Sequence, residues 1–171
     1  RISPTRAEHV LAGLGGRIEL VLDGGPCESG VESTVIDCTG DTARILRPGG
    51  ITREAVAATL AARGMTLATE SPPTDEDAPA SPGQLNSHYA PSAPVRLNVT
   101  APEPGMELIG FGETGGAGEL GLNLSPDGDL QDAAANLFQM MHAADAAGAA
   151  VIGVAPVPDL GLGEAVNDLS L

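Results

Sequence analysis

Three short segments carry side chains that could handle a small anionic substrate. Gly30-Val31-Glu32-Ser33-Thr34-Val35-Ile36-Asp37 places two short hydroxyls at the leading end of a β-branched strand. Ile45-Leu46-Arg47-Pro48-Gly49-Gly50 then presents one arginine against a turn. A guanidinium offers a planar fork of donors that fits phosphate or carboxylate, and serine and threonine hydroxyls suit a small polar ligand. The third segment, His88-Tyr89-Ala90-Pro91, sets the only tyrosine beside a histidine. Tyr89 there is either a tether to the protein surface or a stacking face and hydroxyl donor over a ligand.

Other combinations offer less. Ser33 lacks the glycine frame of a nucleophile elbow. Asp23, within Leu22-Asp23-Gly24-Gly25, reads as a turn residue, and Glu32 either orients the site or faces solvent. Gly110-Phe111-Gly112-Glu113-Thr114-Gly115 fits the dinucleotide fingerprint. That motif must open a helix whose N-terminus meets the pyrophosphate, whereas more glycines and a further strand pattern follow here. No His, Cys, Asp or Glu cluster has metal-ligand spacing. His9 and His142 fall on predicted helices as surface or boundary residues. Cys27 and Cys38 read as reduced thiols in or near a core.

Elements that would position the three segments follow from the punctuation. Helices are predicted over 4–14, 53–62 and from 130 to Gly148. Strands are predicted over 17–22, 32–38, 43–46, 95–99, 106–111, 120–124 and 149–155, with a short edge strand over 65–68. Leu130, Ala133, Ala134, Leu137, Met140, Met141 and Ala144 form one apolar stripe. Residues 70–83 are rich in Pro, Ser, Thr, Asp and Glu and read as an extended linker. The organisation expected is therefore a first unit over 1–69, a linker with the His-Tyr-Ala-Pro segment over 70–93, and a small α/β unit over 94–171. Limited proteolysis should cut first between Glu70 and Gln84. Primary cuts inside Val31–Leu46 or Leu130–Ala147 would contradict that boundary.

Composition bounds the chemistry. The 171 residues carry 8 basic against 23 acidic side chains, a net charge of −15, and every basic residue is an arginine. Lysine-dependent chemistry, the phosphate-binding P-loop included, is excluded within this chain. The acidic balance disfavours non-specific nucleic-acid binding without forbidding a local arginine pocket. No apolar run approaches the roughly 20 residues of a membrane-spanning helix, and no signal peptide is visible. A cytoplasmic protein without membrane or DNA partners is expected. The chain begins on a helix entrance without an initiator methionine, so a piece of a longer protein is expected too.

Taken together, the segments resemble the YrdC/Sua5 family, in its longer Sua5 type. The resemblance rests on Ser3-Pro4-Thr5, His9-Val10, Leu22-Asp23-Gly24-Gly25, Gly30-Val31-Glu32-Ser33-Thr34-Val35, Leu46-Arg47-Pro48-Gly49, Ser81-Pro82-Gly83, His88-Tyr89-Ala90-Pro91 and Gly161-Leu162-Gly163-Glu164-Ala165. These follow the family's order along essentially the whole chain. The resemblance implies the C-terminal half of a twisted α/β catalytic domain, a proline-rich linker and a small Rossmann-like α/β domain. It implies a nucleotidyltransferase that makes threonylcarbamoyl-AMP from L-threonine, bicarbonate or CO2, and ATP, with Mg2+ whose ligands the motifs do not identify. The product would pass to a tRNA-modifying transferase, with at most a weak tRNA contact. By motif match, Ser3, Arg47 and Tyr89 look like ATP contacts and Ser33 like a threonine contact. The family's N-terminal basic residues and Ser-x-Asn segment have no counterpart here, so the chain alone is expected to be inactive. Family members also continue Asn167-Asp168 with arginine, where this chain has Leu169. Two alternative readings stay open: a non-catalytic RNA-binding module and an inactive interaction fragment.

Overall fold

The structure, a computed structural model, describes residues 2–69, 91–113 and 118–168. It is a mixed α/β chain, as expected. In order the elements are α1 (Ala7–Leu14), β1 (Val35–Asp37), β2 (Arg44–Arg47), α2 (Arg53–Ala61), β3 (Val95–Arg96), β4 (Met106–Ile109), α3 (Leu130–Ala146), β5 (Val151–Val154) and α4 (Gly163–Asn167). β1 and β2 form an antiparallel pair, with Ile36 opposite Ile45 and a register shift between Val35 and Ile36. The second sheet is parallel, in the order β3-β5-β4. A parallel neighbour needs a crossover, and α3 supplies it between β4 and β5.

α3 forms where its stripe predicts. Asp129 caps it by accepting from the backbone N–H groups of Gln131 and Asp132, which satisfies two otherwise orphan donors. Its buried face, Ala133, Ala134, Leu137, Phe138, Met141 and Ala144, packs with Ile109, Ile152, Val154 and Val166 in one core. Thr52 caps α2 in the same manner through Ala55 N–H.

Ile2 belongs to the same core and Val31 packs against it. A Cβ on Gly30 would overlap the carbonyl oxygens of Ala134 and Ala135, so only glycine lets the 30–34 segment lie this close to α3. The segment that carries the candidate hydroxyls is thus seated on the α3 layer.

Several sequence expectations need correction. Residues 17–22 form no named strand. Gly15 and Ile18 make one isolated bridge, and Leu20 and Leu22 are 74% and 87% exposed. Alternation favours a strand only where a ladder partner and a covering layer exist, and neither is found there among the described residues. Residues 120–124 contribute only a bridge between Asn123 and Gly110, and 65–68 only a bridge between Leu67 and Ala43. β3 ends at Arg96, and Asn98 turns the chain with a φ of 59°. Cys27 and Cys38 are exposed rather than in a core, because the turns around them leave apolar layers to neighbouring residues. α4 was not anticipated; a five-residue helix is too short to show a period.

Candidate active site

The turn after β2 is built around one close approach. A Cβ on Gly49 would overlap the Glu32 carbonyl oxygen, the Ser33 carbonyl carbon and the Thr34 nitrogen. Gly50 N–H donates to the Glu32 carbonyl at 2.9 Å. The Thr34 hydroxyl donates to the Ile51 carbonyl at 2.7 Å and lies 3.0 Å from Ile51 N. The Arg-Pro-Gly turn and the Glu-Ser-Thr segment are therefore one stitched unit.

Arg47 closes that unit. Its side chain is buried, and Nε and Nη2 both donate to the Ser33 carbonyl, at 3.1 and 2.9 Å. Nη2 also donates to Ser33 Oγ at 3.1 Å. The Ser33 side chain itself is exposed. With Oγ accepting from Arg47, the Ser33 hydroxyl still has its proton to donate.

Ser3 reaches the same segment from the other side. Its hydroxyl donates to Glu32 Oε1, which leaves its oxygen as an acceptor for any ligand. Ser3, Ser33 and Arg47, separated by up to 44 positions in the chain, are brought together through the dipeptide Glu32-Ser33. Tyr89, with the rest of 70–90, lies outside the described residues. Asp23 accepts from Gly25 N–H at 2.9 Å, the turn role its context predicts. After Phe111 the chain turns at Gly112 and Ser125 N–H finds the Asn123 side chain; Asn123 in turn donates to the Gly112 carbonyl at 3.0 Å. The described part of the glycine-rich stretch thus folds back on itself, and among the described residues that follow, no helix begins before α3 at Leu130.

A cavity of about 580 Å³ adjoins the turn, lined among others by Pro48, Arg53, Glu164, Asn167 and Asp168. Arg53 donates from Nε to both Glu164 carboxylate oxygens, at 3.1 and 2.9 Å, and so ties α2 to α4. Sequence reading assigned no role to Arg53, Glu164 or Asp168. The pairing spans 111 positions, and no local signal announces it. Desolvation pushes the Asp168 carboxyl up to about 6, against the pull of Arg47. The folded protein therefore holds this proton more tightly than the unfolded chain, whose reference value is 3.8. The resulting stability is fully present below that value and is lost as pH rises through about 6. Asp168→Asn should abolish this part of the pH dependence. Urea midpoints of both proteins at about pH 4 and pH 7 check it; an unchanged pH slope in the variant would contradict it.

Among the described residues, no group of three or more His, Cys, Asp or Glu could hold a metal ion. No helix among them is long and apolar enough to cross a membrane.

Comparison with known proteins then gives a consistent picture. The family model described as threonylcarbamoyl-AMP synthase, C-terminal domain, matches residues 51–169. One described as telomere recombination matches residues 1–49. The chain is similar to the threonylcarbamoyl-AMP synthase of Bacillus subtilis, 43% identical over 114 residues that cover 67% of this chain and 32% of that protein. It is also similar to the synthase of Pyrococcus abyssi, 36% identical over 179 residues covering 96% of this chain and 52% of that protein. The crystal structure of P. abyssi Sua5 complexed with L-threonine superposes with a TM-score of 0.75 at 30% identity, covering 99% of this chain and 53% of the other. A His/Tyr double-alanine variant of P. abyssi Sua5 superposes with a TM-score of 0.70 at 27% identity, covering 99% and 51%. The chain thus spans about half or less of the length of these relatives.

Proposed function

Because the chain belongs to the Sua5 family of threonylcarbamoyl-AMP synthases, we propose that the whole protein joins L-threonine, bicarbonate and ATP into threonylcarbamoyl-AMP and releases pyrophosphate. The observation that carries this reading is the convergence of Ser3, Ser33 and Arg47 on Glu32-Ser33. The relative solved with L-threonine bound supports the choice of amino acid.

In this reaction the threonine nitrogen captures CO2, and a carbamate oxygen attacks the α-phosphorus of ATP as pyrophosphate leaves. The protein's tasks are positioning and charge stabilisation. Ser33, whose oxygen accepts from Arg47 while its proton remains to be given, donates to threonine. Ser3, with its proton committed to Glu32, meets ATP as an acceptor, which suits a nucleoside hydroxyl or amino group rather than a phosphate. Arg47 supplies positive charge beside the reacting groups and fixes Ser33. His88-Tyr89 is the chain's one adjacent His-Tyr pair, and Tyr89 is assigned to the nucleotide by its motif match; a solved relative had such a pair replaced by alanines. Mg2+ would enter with the ATP phosphates, since it is commonly held by substrate phosphates and few carboxylates. The three-part organisation over 1–69, 70–93 and 94–171 belongs to the same proposal, as do a cytoplasmic location and delivery of the product to a tRNA-modifying transferase.

Pyrophosphate release from ATP by the full-length protein tests the reading. Release that requires both threonine and bicarbonate is expected. Steeply salt-dependent tRNA retention on filters without turnover would replace it with an RNA-binding module.

A further inference from the structure

Two histidines that the sequence placed at boundaries without partners are in fact stacked on one another. The rings of His9 on α1 and His142 on α3 lie 3.8 Å apart between centroids, inclined by 22°. His142 Nε2 lies 3.2 Å from the Ser3 carbonyl and, facing a carbonyl, must donate to it. Thr5 N–H donates to His9 Nδ1 at 3.2 Å, and the Thr5 hydroxyl is 3.3 Å from the same nitrogen. Both rings therefore grip the backbone of Ser3–Thr5, and Thr5 is buried.

The grip continues along one face of α3. One turn before His142, Gln139 accepts from Arg6 Nη2 at 3.2 Å. One turn after it, Asp145 accepts from the backbone N–H groups of Ser92 and Ala93, at 2.8 and 3.2 Å. Ser3, His9, His142, Asp145, Pro91 and Ser92 share the wall of one cavity of about 650 Å³. The α3 face thus fixes the segment that presents Ser3.

We infer that His142 is a positioning residue, which holds Ser3 for ATP from the opposite layer of the fold and does so only while its partner His9 is neutral. The inference rests on the proposed ATP role of Ser3. A protonated His9 could no longer accept from Thr5 N–H, and a cation would stack on His142. The charged and titratable groups facing His9 are Glu8, whose Oε1 is 4.0 Å from Nε2, Arg6 and His142. Asp145 lies farther along α3, and Glu32 faces Ser3 from the 30–34 segment. Desolvation first, then the neighbouring His142, hold the His9 pKa below the ordinary 6.5, with Glu8 opposing and Arg6 reinforcing. The grip is accordingly complete above that value and weakens as pH falls below it.

ATP titration of the full-length protein and of Ser3→Ala, His142→Ala and His142→Gln provides the test. His142→Ala should weaken ATP binding about two- to tenfold, the worth of one neutral hydrogen bond. Threonine binding should change less, and His142→Gln, which keeps a donor, should recover part of the loss. Wild-type ATP affinity should fall as pH drops below 6.5, and proton NMR should show the His9 titration moving up towards 6.5 in His142→Ala. Ser3→Ala weakened with His142→Ala at wild-type affinity would overturn the inference alone. Ser3→Ala at wild-type affinity would overturn both it and the ATP role of Ser3. A His9 titration unmoved by His142→Ala would also overturn it.

Discussion

Arg47→Lys is expected to weaken ATP use about ten- to over a hundredfold. Loss of a charge-assisted hydrogen bond is worth about 1.5–3 kcal/mol, and a point ammonium cannot reproduce a planar fork. The geometry adds a consequence for the second substrate. Arg47 fixes the Ser33 carbonyl through two nitrogens and the Ser33 hydroxyl through one of them, so the substitution also frees Ser33. Apparent affinities for ATP and for threonine should both drop, and initial-rate pyrophosphate release at varied concentrations of each reads them separately. Weakened threonine binding with unchanged ATP affinity would make Arg47 a support for Ser33 alone. No change in either would reduce it to a structural residue of the Pro48-Gly49 turn.

Gly49→Ala is expected to destabilise the protein by about 1–3 kcal/mol, the usual range for forced overpacking, and to lower activity beyond what lost stability explains. The added methyl would meet backbone atoms of Glu32, Ser33 and Thr34 rather than the end of a flexible side chain. The two segments cannot part easily, because the Gly50–Glu32 and Thr34–Ile51 hydrogen bonds hold them together. Relief must come from moving the dipeptide on which the site converges. Gly50→Ala is the matched control. Its Cβ would lie 3.2 Å from the Ser29 hydroxyl oxygen, which a side-chain rotation can clear. Denaturant midpoints and threonine affinity of both variants decide the matter, and a Gly49→Ala protein with wild-type values would contradict this account of the turn.

What could be read from the sequence divides along sequence distance. The α3 stripe and the apolar runs of β1 and β5 are local patterns, and each element formed near its expected place. Ser33 and Arg47, 14 positions apart, were legible as neighbours because one short antiparallel pair joins them. The Ser3–Glu32 bond spans 29 positions, and the Ser3 carbonyl meets His142 across 139. No periodicity encodes such contacts; they arise when Ile2 and Val31 bury themselves against α3. The same reasoning explains the failure over 17–22. Its alternation is genuine, but a strand is a relation between segments, and Leu20 and Leu22 have no covering layer among the described residues. Arg53 and Glu164 look like ordinary surface charges until α2 and α4 are placed side by side.

The most direct measurement is the mass spectrum of the product formed by the full-length protein from ATP, L-threonine and isotopically labelled bicarbonate. The account predicts one adenylated threonine adduct that carries the labelled carbon, appears with pyrophosphate, and falls sharply in Ser33→Ala and Arg47→Lys. An adenylated threonine without the label, or a labelled adduct formed at wild-type rate by both variants, would contradict it.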